Sequence, residues 1–356
     1  MRLAIDCRMH NCSGIGTVIR NILPHLIQRF ACTIIFNKGN EFPFAGNYKT
    51  VIFESYIYSV KEQAEYYSKI KEADVFWAPH YNFPVLLRKG IKKAATIHDV
   101  FHLDNLNQLS KLQGIYAKLF LTQFIKSNKS IITVSRFSRD RICFHSGLPQ
   151  EKVSVIYNGI DTQLFQPSSQ KNLSLPDKYI LYVGNVKPHK NLKTLLLAYS
   201  QLKESIKKEY ALVIVGKKEG FLNGDTEIET LVKQYNLLGN IHFTGYVPDN
   251  DLQELYGRAN LFVFPSLYEG FGLPPLEAMA CGVPVIASNA ASLPEVCGDG
   301  ALYFDPKNSE ELSDKINSVL KDANLQEQLK IRGHRQALRY KWEDTAKKYI
   351  ELITNI

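Results

Sequence analysis

The sequence predicts an α/β protein built from two successive Rossmann-like domains. Three observations lead there. Short apolar runs alternate with segments of helical spacing, and the alternation occurs twice, before and after a Ser-, Asn-, Gln- and Pro-rich stretch from Gln166 to Asp177. The runs are continuously apolar, as parallel strands covered on both faces require. At 356 residues the chain exceeds what one core comfortably holds. No self-similarity at a solenoid period competes with this reading.

Composition narrows the class. Apolar residues make up 45% and charged residues 22%, a globular balance that is neither disordered nor a membrane bundle. No apolar run approaches the length of a membrane span, and the opening MRLAIDCRMH reads as a strand, not a signal peptide. Cysteines at positions 7, 12, 32, 143, 281 and 297 form no CxxC pair; reduced, buried thiols of a cytoplasmic protein are expected, not a zinc site. The net charge of +8 is uneven: 21 of the 43 Lys and Arg but only 12 of the 35 Asp and Glu lie at or before Phe165. A basic first half suits a negatively charged partner. No helix-turn-helix, zinc-finger or aromatic RNA-binding signature points to nucleic acid, so an anionic membrane surface or a diphosphate-linked acceptor is the expected partner.

In the first domain, strands are expected at Arg2–Ile5, Thr33–Phe36, Thr50–Phe53, Asp74–Ala78, Ile131–Val134 and Val153–Tyr157. SGIGTVIRNILPHLIQRF is a glycine-bearing turn feeding a helix with apolar Val18, Ile19, Ile22 and Leu26. Gly14 and Gly16 either bring backbone close to a ligand or make a tight strand-to-helix turn; the third glycine of the dinucleotide fingerprint is missing. Ser59–Glu72 carries helical spacing. KKAATIHDVFHL places His98 and Asp99 at the end of an apolar strand, with His102 close behind. Ligands of open α/β sheets collect at such carboxyl ends, although a polar pair there is also ordinary. Lys111–Lys129, basic at intervals and apolar between, is expected as a helix packed on its own sheet rather than lying on a membrane. Asn158-Gly159 closes the last strand, and the domain is expected to end at residue 167.

The second domain repeats the pattern, with strands at Tyr179–Val183, Ala211–Val215, Ile241–Thr244 and Leu261–Phe264. Helices are expected at Leu192–Leu202, Asp249–Tyr256 and Ser309–Leu320, and through the tail RQALRYKWEDTAKKYIELI, with Trp342 as its anchor. The loop after the first strand holds Asn185, Lys187 and Lys190 near a helix start, where cations and amides together can hold phosphate oxygens. Gly216 ends the next strand, and Thr244 leads into Gly245-Tyr246-Val247-Pro248.

The most informative stretch is Asn260 to Ala287, NLFVFPSLYEGFGLPPLEAMACGVPVIA. It reads as strand, loop, helix and strand. Gly270, Phe271 and Gly272 form the loop with Leu273, Pro274 and Pro275 suit a first helical turn, and Gly282 a helix end before a strand at Val283–Ala287. Backbone amides at a positive helix end are what a diphosphate needs, and Glu277, one turn in, is placed to accept hydrogen bonds from a ribose. Glu269 stands before the loop, with seven residues between it and Glu277.

This segment resembles the E-x7-E signature of the retaining glycosyltransferases of family 4, in wording nearest the branch of bacterial mannosyltransferases of surface-polysaccharide assembly. The resemblance covers most of the chain and implies the GT-B architecture of two facing domains: residues 1–167 binding acceptor, 168–335 binding a nucleotide sugar, and a helix over 336–356 returning to the first domain. It implies that His98 lies beside the donor sugar, that Lys190 grips the diphosphate and that Glu269 holds sugar hydroxyls, the three expected catalytic residues. Glu277 would take the ribose, and the Gly14 and Gly16 segment would close over the donor. The Thr244–Val247 segment would bind the nucleobase, with Asn185, Lys187, Gly216 and Gly270–Leu273 completing the donor set. Many relatives carry an arginine where this chain has Asn185, which leaves the second phosphate cation open, with Lys187 a candidate substitute.

The expected reaction is retaining, front-face transfer of a hexose without cofactor or metal, the protein itself neutralising the departing diphosphate. GDP-mannose is the first choice of donor and a UDP-sugar the second; the acceptor is a glycan or lipid-linked glycan, met in the cytoplasm or at the inner face of a membrane. An epimerase of the same fold and an inactive donor-binding subunit are the alternatives. The incomplete glycine fingerprints, with no acidic ribose partner following, argue against a dehydrogenase.

Overall fold

The computed structural model describes residues 1–84, 87–105, 130–165, 173–216 and 226–356. The helix expected over Lys111–Lys129 lies outside them, as do residues 166–172 of the linker-like stretch. The described chain divides into two compact units, Met1–Gly159 with Lys341–Ile356, and Ile160–Tyr340. The division falls at Gly159/Ile160 rather than after residue 167. Ile160 N–H donates to the Tyr340 carbonyl at 3.0 Å and Phe165 packs edge-on against Tyr256, so the segment leading to the linker already belongs to the second unit.

Among the described residues the first unit holds a sheet of seven strands: β1 (Arg2–Asp6), β2 (Ala31–Asn37), β3 (Tyr48–Phe53), β4 (Val75–Ala78), β5 (Lys92–Ile97), β6 (Ser130–Thr133) and β7 (Val153–Val155). Their spatial order is β3-β2-β1-β4-β5-β6-β7, and every pairing is parallel. The second unit holds β8 (Tyr179–Val183), β9 (Ala211–Val215), β10 (Ile241–Gly245), β11 (Leu261–Phe264), β12 (Val285–Ser288) and β13 (Ala301–Phe304), ordered β10-β9-β8-β11-β12-β13 and again all parallel. Both sheets therefore reverse direction of growth once, between β1 and β4 and between β8 and β11. In doubly wound folds the crevice at that reversal is where ligands bind.

Both faces of each sheet are covered, which explains the continuous apolar runs. In β1, Leu3 and Ile5 enter one buried layer while Ala4 enters the other. The Leu3 layer is closed by the helices Ser13–Arg29 and Trp342–Asn355, so the C-terminal helix is part of the first unit. Tyr349 on that helix is fully buried; its hydroxyl lies 3.0 Å from Thr96 Oγ1, which also accepts from Trp77 Nε1 at 3.0 Å. Gly159 is required where it meets this helix, because a Cβ there would lie 2.2 Å from the Trp342 nitrogen.

The tail is not one helix. Ala323–Ala337 and Trp342–Asn355 are separated where Tyr340 turns inward, its hydroxyl donating to the Val296 carbonyl at 3.1 Å and its ring meeting Phe271 edge-on. The helices Arg136–Ser146, Glu204–Glu209, Thr226–Gln234 and Ala323–Ala337 were not expected. The first of these carries a plain start signal, Ser135 Oγ accepting from Ser138 N at 3.0 Å. The strand expected from Val283 begins only at Val285, since Pro284 has no N–H to pair and serves as acceptor for Phe262 N at 2.9 Å. All six cysteines are free; Cys12 is exposed and Cys143 half-buried, contrary to the expectation of burial, and the other four are buried. Among the described residues no helix is long and apolar enough to cross a membrane.

Candidate functional site

In the second unit the loops that follow β8 and β11 meet at the sheet reversal. Leu267 N–H donates to the His189 carbonyl at 2.8 Å, tying one loop to the other. Asn191, held at φ 56°, reaches from the first loop to the Pro265 carbonyl at 3.0 Å and the Pro306 carbonyl at 2.8 Å. On this frame Lys190 Nζ sits 2.6 Å from Glu269 Oε1, with Ser266 Oγ donating to the same oxygen at 2.7 Å. The side chains of Lys190 and Glu269 are 20% and 12% exposed, so the pair is shielded yet reachable. Two residues expected to act on different parts of a donor thus form one ion pair.

Gly272 caps the helix Leu273–Ala280 with φ 102°, and Ser292 Oγ fastens the loop to its surroundings through the carbonyls of Glu269 and Phe271 at 3.0 and 2.9 Å. Pro274 and Pro275 follow Leu273 and carry no N–H, which leaves the amides of Gly272 and Leu273 as donors at this helix end. Phe271 is buried against Tyr340, so its ring is a packing element and only its backbone can meet a ligand. Glu277 is half-buried, and Oε2 accepts from the Tyr256 hydroxyl at 2.8 Å, which fixes the carboxylate.

The remaining candidates of this unit line the same sheet edge. Gly216 donates to the Gly245 carbonyl at 3.0 Å, and a Cβ on it would lie 2.4 Å from the Gly184 carbonyl oxygen. Close backbone packing is therefore enough to require glycine there. Gly245 has φ 76°, Thr244 Oγ1 donates to its carbonyl at 3.1 Å, Tyr246 is 70% exposed and Val247 is half-buried. Asn185 and Lys187 are exposed at the loop surface, and Asn185 contributes its carbonyl to Lys187 N at 3.0 Å. Asp249-Asn250-Asp251, the one Asp-x-Asp triplet of the sequence, opens the helix Asp249–Gly257. Among the described residues no three His, Cys, Asp or Glu side chains gather as metal ligands.

In the first unit Gly14 and Gly16 lie inside the first turn of the helix Ser13–Arg29 rather than in a loop before it. Gly16 is explained by packing, since a Cβ would lie 2.2 Å from the His10 carbonyl oxygen, whereas a Cβ on Gly14 would point into open space. His98 follows β5; its Nε2 lies 2.8 Å from the Pro79 carbonyl oxygen, and burial holds its pKa below the usual imidazole range. A carbonyl only accepts, so Nε2 bears the proton and Nδ1 is the acceptor of the neutral ring. Asp99 Oδ1 takes the Phe101 amide at 3.0 Å and so starts the short helix Phe101–Asp104, while His102 is exposed.

Sequence reasoning missed a buried polar cluster at the ends of β1 and β4. Asp6, Arg8, Glu62, Tyr66, His80 and Asn82 are each at most 3% exposed. Burial by itself would raise the Asp6 carboxyl, but Arg8 overcomes this and holds it below the ordinary range. Burial pushes His80 down from 6.5 to about 4, so it is neutral. Because the folded value lies below the unfolded one, this stability is complete above about pH 6.5 and is lost as pH falls toward about 4. Unfolding followed at those two pH values should show a loss on the order of 3 kcal/mol in the first unit. His80→Asn should remove much of that slope, and an unaltered slope would show that His80 is not its source.

The fold and the site define a GT-B glycosyltransferase. The chain belongs to glycosyltransferase family 4: the model described as Glycosyltransferase Family 4 matches residues 12–164, and the model of glycosyl transferases group 1 matches residues 165–336. It is 35% identical over 277 residues to O-antigen chain mannosyltransferase B of Escherichia coli, covering 76% of this chain and 71% of that protein. It is 33% identical over 258 residues to the serotype-specific mannosyltransferase WbdA of Escherichia coli, covering 72% of this chain and 30% of that longer protein. Among solved structures, sucrose-phosphate synthase from Thermosynechococcus elongatus superposes with a TM-score of 0.82 at 20% identity, covering 100% of this chain and 98% of that one, a likeness of fold.

Proposed function

We propose that this glycosyltransferase moves mannose from GDP-mannose to a lipid-linked or free glycan acceptor of surface-polysaccharide synthesis, with retention of configuration and without a metal ion. The observation that carries this reading is the Lys190–Glu269 pair at the reversal of the second sheet, beside the glycine-capped helix Leu273–Ala280. An ammonium and a helix N-terminus together suit a departing diphosphate. Glu269, itself held by the Ser266 hydroxyl, keeps that ammonium in place until the diphosphate competes for it. Glu277, fixed by Tyr256, accepts the ribose hydroxyls, Thr244 to Val247 take the base, and His98 accepts a hydroxyl of the sugar through Nδ1. The mannosyl choice is supported by the names of the two Escherichia coli relatives. The excess of basic residues before Phe165 supports a peripheral place on an anionic membrane.

Thermal shifts with GDP, UDP and ADP test the donor, since the true nucleotide raises apparent stability with its saturation. A shift with UDP alone would overturn GDP-mannose, and loss of turnover in EDTA would overturn the metal-free reading. Glu277→Ala should raise the donor KM by roughly tenfold to a hundredfold, as expected for one or two charge-assisted hydrogen bonds, with kcat little changed. An unchanged KM would remove Glu277 from the ribose site.

A further inference from the structure

The buried cluster of the first unit is an expensive way to fill a core. Asp6, Arg8 and Glu62 are ionisable and fully enclosed, and apolar packing of the same volume commonly does as well or better for stability. Arg8 Nη1 and His80 Nε2 have no hydrogen-bond acceptor among the described residues. What the cluster does achieve is a continuous chain of contacts to one carbonyl. Arg8 holds Asp6 with Nε at 2.9 Å and Nη2 at 2.6 Å, and Nη2 also bonds Glu62. Tyr66 donates to Asp6 Oδ2 at 2.6 Å. The other Glu62 oxygen accepts from Tyr58 N at 2.9 Å, pinning Tyr58 at φ 69°, a backbone conformation uncommon for an aromatic residue. Asn82 Nδ2 donates to Glu62 Oε1, and Asn82 N donates to His80 Nδ1 at 3.0 Å. The turn after β4 is thereby held from beneath, and its first residue, Pro79, supplies the carbonyl that orients His98.

We infer that Arg8, Glu62 and Asn82 are positioning residues for His98: through the turn from Pro79 to Asn82 they set the carbonyl that selects the imidazole tautomer and ring orientation. This rests on the reading of His98 as a group that meets the transferred sugar. Small misplacements of a reacting constellation cost large factors in rate, and the groups that hold it share that cost.

The test is a double-mutant cycle of Asn82→Ala and His98→Ala in the full chain, read as kcat at saturating donor, GDP affinity and thermal midpoint. Asn82→Ala should lower kcat about tenfold or more in the wild-type background, leave GDP affinity within about twofold, and cost nothing further in the His98→Ala background. The nitrogen-15 shifts of His98 should move from a single Nε2–H tautomer toward a mixture in Asn82→Ala. Equal losses in both backgrounds, or an unmoved tautomer, would overturn the positioning role. Wild-type kcat in His98→Ala alone would instead overturn the reading of His98, a separate outcome. If Asn82→Ala does not fold, Asn82→Ser, which retains a hydroxyl donor, should keep an intermediate kcat and tautomer ratio; wild-type values in both would reject the inference.

Discussion

Lys190→Ala should lower kcat by about 10²–10³, the loss seen when one preorganised group facing developing negative charge is removed. The ammonium lies 2.6 Å from Glu269 Oε1 at a side-chain exposure of 20%, so it is held in a partly desolvated place where a charge acts more strongly than in water. Its removal has two consequences. On the proposed reading the departing diphosphate loses a side-chain cation, and the Glu269 carboxylate keeps Ser266 as a donor but loses its positive partner. Lys190→Arg should recover only part of the rate, since a planar fork does not reproduce a compact ammonium. Steady-state kinetics with saturating donor check this. A kcat within about threefold of wild type in Lys190→Ala would remove the residue from the chemistry.

Tyr349→Ala should destabilise the first unit by roughly 3–5 kcal/mol, the usual cost of deleting a fully buried aromatic side chain. The ring lies 5.1 Å from that of Trp77, and the hydroxyl shares Thr96 Oγ1 with the Trp77 indole. Tyr349→Phe keeps the ring and should lose only about 1 kcal/mol. The readout is unusually direct: the chain has two tryptophans, Trp77 and Trp342, and both are buried in the first unit, so their emission during denaturant unfolding follows that unit alone. A midpoint for Tyr349→Ala equal to wild type would show that the C-terminal helix contributes little to this core.

The parallel sheets were legible because strands such as Leu261–Phe264 are apolar on both faces and bounded by Gly and Pro punctuation. The Gly272–Leu273 helix start was legible for the same local reason. The pairing of Lys190 with Glu269 was not, since nothing local in a sequence announces a contact between residues 79 apart. Asp6, Arg8 and Glu62 escaped for a related reason: a charged residue reads as solvated until a second chain segment covers it. Glu62 was further disguised, since three residues after Ser59 it reads as a helix cap, and Ser59 does accept its amide. Asp99 looked like a candidate by position, yet its carboxylate serves the backbone two residues on. The break at Tyr340 has no turn signal of its own and arises because its side chain is claimed by Val296 and Phe271.

The covalent path has a consequence for biosynthesis. The whole second unit is translated between the seven strands of the first and the helix that closes one of its faces. Until the ribosome has passed Ile353, the apolar side of the Ser13–Arg29 helix lacks Trp342, Tyr349 and Ile353, while the later-made unit already has every strand it needs. The nascent N-terminal half must therefore wait, partly uncovered, until the helix Trp342–Asn355 has been made, a reversal of the amino-to-carboxyl order in which domains ordinarily mature.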